Sequence, residues 1–194
     1  MIACEAPFRE PVESAAMKPS PERFAQVLSR LRERVEGRYG IPVRVVDVPP
    51  PFTGDLDGAE IHLDCEQKDE LQVFTLAHLF GHTVQWSLSS RAREIGGKPP
   101  GQYSAEDLAE VDAYEAEASR FGLALLHEAG VDDLDAWLSD FSACDRAYLE
   151  HFYKTGEKRP TEEFWRDGRP LLAPLSIPAF TPHRATFRWE GVVI

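Results

Sequence analysis

The chain has 194 residues, 43% of them hydrophobic, enough for one domain with a substantial core. Its 33 acidic against 21 basic residues leave a net charge of −12, which argues against direct nucleic-acid binding and against an anionic membrane surface as partner. No apolar run approaches the roughly 18 residues of a membrane span, and three scattered cysteines (Cys4, Cys65, Cys144) without a CxxC do not make a disulfide framework, so the composition points to a cytoplasmic protein.

Residues 1–19 are broken by charges and prolines, lack the apolar core of a signal peptide, and read as a disordered leader. A first helix starts at Ser20 as N-cap with Pro21 in the first turn. It carries Phe24, Val27, Leu28, Leu31 and Val35 on one face and is stopped by Gly37 and Gly40. "IPVRVVDV" (41–48) is a β-branched strand, "PPPFTGDLDG" (49–58) a turn-rich connection, and "AEIHLD" (59–64) a short second strand.

A helix follows from about Glu70 to Ser87, then a Gly- and Pro-containing loop, "SSRAREIGGKPPGQY". Ser104, with Asp107 three residues on, opens a long helix through Glu128, closed by Gly130. Another helical stretch covers 132–154. A Pro-rich tail from 161 lies in extended segments over the body. The expected organisation is a leader (1–19), an α+β domain (20–130) and a helical and extended extension (131–194) packed on that domain.

The chemistry is concentrated in "VFTLAHLFGHTVQW" (73–86). Residues four apart on a helix share a face, so His78 and His82 can point two imidazoles at one ion. A zinc site with catalytic potential needs a third protein ligand. Glu115, in "DAYEAEASRFGLALL" on the next long helix, is the best candidate, because a loop between two antiparallel helices returns the chain to the same neighbourhood. Asp112 lies one turn before it on the same face, whereas Glu117 points elsewhere. The plainer reading makes Thr75, His78, His82 and Gln85 the polar face of a buried helix, hydrogen-bonded without metal.

"AEIHLD…VFTLAHLFGHTVQW" resembles the strand-then-helix core of the ImmA/IrrE group of zincin-like metallopeptidases, whose helix typically reads FTLAHELGH. "EAEASRFGLALL" is similar to that group's second motif, ExxAxxFAxxLL. Glu115 falls on its glutamate ligand, Ala118 and Phe121 on its packing positions, and Leu125 and Leu126 on its double leucine. The resemblance covers about residues 20–127 and implies a zincin-like α+β fold, a zinc ion held by His78, His82 and Glu115, and, by analogy with some members, a repressor-type protein as partner.

Leu79 departs from that pattern. It stands where the group carries the glutamate that polarises the zinc-bound water and relays its proton, a contribution of typically about 100- to 10,000-fold. The ligand set is untouched, because that glutamate is not a ligand. The resulting expectation is a degenerate metallopeptidase-like protein with weak or no proteolysis and a recognition or regulatory role towards a peptide or protein. Two rivals remain: a working metallohydrolase with Asp112 as substitute base, and a metal-free structural or interaction protein. His62, His127, His151 and His183 read as surface, core or helix-end residues, and Trp86, Trp137, Trp165 and Trp189 as core or tail anchors.

Overall fold

The computed structural model describes residues 19–49, 53–97 and 103–184; nearly all of the expected leader, and Trp189, lie outside them. Helix α1 (Pro21–Tyr39) starts as its sequence dictates. The Ser20 hydroxyl accepts from the Arg23 N–H, Pro21 sits in the first turn, and Phe24, Val27, Leu28, Leu31 and Val35 are buried. Gly40, at φ 65°, ends it, while Gly37 remains inside the helix.

Strands β1 (Val43–Val46), β2 (Gly54–Leu56) and β3 (Ile61–Asp64) form a mixed sheet in the order β1-β3-β2, with β1 parallel and β2 antiparallel to β3. Strand β2 lies inside the segment read as a turn-rich connection. Its residues have little intrinsic β preference, and pairing makes it a strand: Gly54, Asp55 and Leu56 stand opposite Leu63, His62 and Ile61.

Helix α2 (Asp69–Leu88) is the centre of the molecule, and every residue from Gln72 to Trp86 is buried. It packs against α1, β2, β3 and the two helices that follow it. Its start is tied to the sheet, where the Gln72 amide donates to the Asp64 carbonyl at 2.9 Å. Part of the expected loop is helical: α3 (Ser90–Gly96) is capped by Ser89, and Ala92 is buried. The glycines and prolines of that segment lie at its C-terminal side, leaving residues 90–95 free of helix breakers.

Helix α4 (Ala105–Glu128) opens on a capping box between Ser104 and Asp107, and Gly130 beyond its end has φ 71°. Helix α5 (Asp135–Thr155) packs on α4 and closes at Gly156. Trp137 packs at a tilt against Phe24 of α1 with ring centroids 5.0 Å apart. After a 3-10 turn (Thr161–Glu163), the described part of the tail, to residue 184, crosses the body without a regular element. Leu172, Leu175, Ile177 and Phe180 pack on the core. Arg120 donates to the Ala173 carbonyl (2.8 Å), and the His183 N–H donates to the Ser87 hydroxyl (3.2 Å). The architecture is α+β. Among the described residues no helix is long and apolar enough to cross a membrane.

Candidate metal centre

Two small-residue pairs set the distance between α2 and α4. A methyl on Gly81 would lie 2.6 Å from the carbonyl carbon of Ala118, and a methyl on Gly122 would lie 2.7 Å from the carbonyl oxygen of Ala77. Ala77 and Gly81 face Ala118 and Gly122 with the same spacing of four, so the two backbones touch along one turn. His78 and His82 each follow one of those α2 positions, and Glu115 lies three residues before Ala118. The close crossing therefore delivers the carboxylate to both imidazoles.

The three side chains converge on one point. His78 Nε2 and His82 Nε2 are 2.9 Å apart, and Glu115 Oε2 is 3.1 Å from the first and 3.2 Å from the second. Exposure is 2% for His78, 3% for His82 and 8% for Glu115, so the cluster is closed to bulk water. Stacking fixes both rings: Tyr114 lies on His82 (4.5 Å), and Phe74 on His78 (5.4 Å).

Gln85 determines which nitrogen of His82 carries hydrogen. Its Nε2 donates to the Tyr114 carbonyl (2.9 Å) and to Glu117 Oε2 (2.7 Å). Reversing the amide would set its oxygen against two acceptors. Oε1 therefore faces His82 Nδ1 at 2.9 Å, and that nitrogen is the donor. A neutral His82 then turns the bare lone pair of Nε2 towards a carboxylate oxygen and a second imidazole nitrogen. The three groups are satisfied when His78 carries its hydrogen on Nε2, when an imidazole is protonated and pairs with Glu115, or when a metal ion lies among them.

Buried charge shifts the surrounding groups. Burial alone would raise the Glu115 carboxyl, but charge and hydrogen bonding from His82 and His78 outweigh it and hold the group well below the usual carboxylate range. Asp145, buried on α5, is pushed up to about 7 by desolvation; the charge of His78 opposes the rise and that of Glu115 adds to it. Desolvation likewise raises the Tyr114 phenol.

The donors fit a divalent ion. Two imidazole nitrogens and one carboxylate oxygen are a set zinc takes, and donors around a tetrahedral zinc with bonds of about 2.0–2.1 Å stand about 3.3 Å apart. The observed 2.9–3.2 Å edges are close to that, and His78, His82 and Glu115 form a candidate metal-holding group.

Leu79 is fully buried and lies over β2: a methyl on Gly54 would come 3.0 Å from Leu79 Cδ1 and 2.5 Å from Thr75 Cγ2. Position 79 is thus filled by hydrocarbon packed on a glycine. Asp112, the expected substitute base, is half-exposed and bound bidentately by Arg146 of α5 at 2.7 and 3.0 Å. Its carboxylate serves a surface ion pair.

Glu117, read as pointing elsewhere, reaches the centre indirectly through Gln85. The other histidines have local partners: His62 with Glu60, His127 with Asp135, His151 with Thr155, and His183 docks through its backbone amide. Sequence reasoning missed Asp145, although it interrupts the apolar stripe Leu138–Phe141–Leu149 of α5 at helical spacing, a recognisable signal of a buried polar group.

The fold and site together define an α+β protein with a closed His–His–Glu cluster suited to a divalent cation. Compared with known proteins, the chain matches no family model, no curated protein and no solved structure.

Proposed function

We propose that the protein is a metallopeptidase-like metal binder. It holds one divalent ion, zinc by donor chemistry, through His78, His82 and Glu115, and does not turn over peptides. One observation carries the reading: His78 Nε2, His82 Nε2 and Glu115 Oε2 converge within 2.9–3.2 Å of one another, with Gln85 holding His82 Nδ1 so that Nε2 faces the other two donors.

A bound zinc ion would supply Lewis acidity. The chain's residues do the rest of what the site requires: Gln85 orients His82, Tyr114 and Phe74 clamp the rings, and Glu115 provides negative charge. At position 79 no group accepts a proton, and Asp112 is engaged by Arg146, which weakens the rival reading of a hydrolase using that base. The role that follows is recognition or regulation through a peptide or protein partner.

Metal content tests the reading. The protein is purified without chelator or nickel resin and analysed by mass spectrometry beside His78→Ala, and both are assayed on unstructured protein substrates. About one zinc per chain, absent from the variant, with no cleavage above the variant's background, is expected. No metal in the wild type, and none taken up on adding zinc, would overturn metal binding. Zinc-dependent cleavage would overturn the non-hydrolytic part.

A further inference from the structure

The tail from Pro170 is built to lie extended. Prolines recur every four residues at 170, 174, 178 and 182, and each removes a backbone donor and fixes its φ near the polyproline value. The residue before each proline is driven to extended backbone as well. Residues 169–184 accordingly form neither helix nor strand. Such a segment has no internal hydrogen bonds to lose and little freedom to give up when it docks.

The folded body reads this segment as it would a bound peptide. Leu172, Leu175, Ile177 and Phe180 pack on the core, while Leu171, Pro174, Pro178 and Ala179 are exposed. Arg120 of α4 takes both sides of one backbone step: its Nε donates to the Ala173 carbonyl at 2.8 Å, and its own carbonyl accepts from the Leu175 N–H at 3.2 Å. The Phe180 ring stacks on Tyr39 of α1 with centroids 5.6 Å apart. At the far end the Ser87 hydroxyl accepts from the His183 N–H (3.2 Å), and Asp57 pairs with Arg184 (3.0 Å). Gly58, at φ 82°, leaves room for the strand: a methyl there would lie 2.2 Å from the His183 carbonyl oxygen. The segment is also separable. From Gly156 to Arg169 every residue except Phe164 and Trp165 is exposed, so the tail can leave its seat without parting the helices.

We propose that this seat is a peptide-recognition site occupied in cis by the chain's own tail, and that its partner in trans is an extended, proline-spaced segment of another protein. The partner carries apolar residues at the spacing of Leu172, Leu175, Ile177 and Phe180, followed by a basic residue for Asp57. Charge supports the last point: with a net charge of −12, the chain attracts a basic segment and repels an acidic one. The tail's bonds named above involve none of His78, His82 and Glu115, so this inference stands or falls apart from the metal reading.

The probe is a fluorescein-labelled peptide with the sequence of residues 170–184, titrated by anisotropy onto the full chain. Wild type is compared with Leu175→Ala/Phe180→Ala, in which the competing tail is weakened and the seat is untouched. The double variant is expected to bind the peptide about 10-fold more tightly than wild type, since apparent affinity scales with the fraction of open seats. Asp57→Asn in that background should lower the affinity by up to about 5-fold at low salt; unchanged affinity would overturn the basic-residue requirement. A scrambled peptide of the same composition should not compete. Amide exchange of the wild type gives a readout that needs no variant: the Leu175 and His183 N–H groups are expected to exchange about 10-fold or more faster than the α2 amides. No binding by a folded double variant, equal binding of the scrambled peptide, or tail amides exchanging only with global unfolding would each overturn the proposal. Failure of the double variant to fold would make the tail part of the core and overturn it as well.

Discussion

Gly81 lies flat against the backbone of Ala118, and the mirror pair Gly122 and Ala77 repeats the contact one turn away. An added methyl at either glycine meets backbone, which cannot swing aside like a side chain. Alanine's better helix propensity, worth about 1 kcal/mol, is outweighed by overpacking of about 1–3 kcal/mol or more. Gly81→Ala is therefore expected to destabilise the protein in urea unfolding. It should also weaken metal binding, because the helix spacing that brings Glu115 to the histidines increases. An unchanged midpoint would refute the close crossing.

Leu79→Glu creates an HExxH sequence at 78–82, but no activity should come with it. The new carboxylate replaces hydrocarbon packed over Gly54 and Thr75 in a fully buried position. The expected outcome is a loss of several kcal/mol of stability, on the order of the penalty for an unpaired buried polar group, and no protease activity in a casein assay.

Asp112→Ala removes half of a pair with Arg146 whose carboxylate is half in solvent. Exposed pairs contribute about 0–1 kcal/mol, so stability should change by less than that, and Co(II) affinity should not change at all. A drop in affinity would bring Asp112 back into the site.

The raised Asp145 carboxyl predicts a pH dependence for the metal-free protein. The group is pushed from 3.8 to about 7 by burial, so between those values the folded state holds a proton that the unfolded state has released. Stability from this group therefore declines as pH rises from about 4 to about 7 and stays low above that, by up to roughly 4 kcal/mol at 1.36 kcal/mol per pH unit. Glu115 acts in the opposite direction: its depressed carboxyl stabilises the fold above the ordinary glutamate range and loses that contribution on acidification. Chemical denaturation at pH 4, 5.5 and 7.5 should show Asp145→Asn gaining on the wild type as pH rises. A constant difference would rule out ionisation of Asp145.

Cys65 is exposed, whereas Cys144 is buried, donates to the Thr161 carbonyl, and is pushed up to about 11 by desolvation. Only the thiolate reacts with alkylating agents. Iodoacetamide on the native protein at pH 8 should modify Cys65 well before Cys144, as peptide mapping would reveal, and denaturation should remove the difference.

The helices were legible in the sequence because their signals are local. The Ser20 cap with Pro21, the Ser104–Asp107 box and the four-residue spacing of His78 and His82 depend on residues within a turn or two. Glu115 was legible as the third ligand candidate because its helix follows the histidine helix in an antiparallel return. What escaped depends on partners distant in the chain. Strand β2 exists through pairing with β3, and Gln85 matters because it meets Tyr114 and Glu117 on another helix. Asp145 is buried only because α5 packs on α4. The distance from Asp112 to Glu115 along one helix was read correctly as one turn, but the Arg146 guanidinium 34 positions away claims the carboxylate.

The tail brings a further consequence, for the order in which the molecule assembles. Among the described residues the tail from Gly168 has no ladder of its own and is held by scattered bonds to finished elements: Asp140 and Ser139 on α5, Arg120 on α4, and Ser87 on α2. The Arg120 and Ser87 bonds span 53 and 96 positions of chain. Loop closure over such distances is rewarded only once the docking surfaces exist. The described part of the tail is therefore the last to fold and the first to detach. The helical core, with its buried cluster, is then complete before Leu175 and Phe180 close over the hydrophobic core.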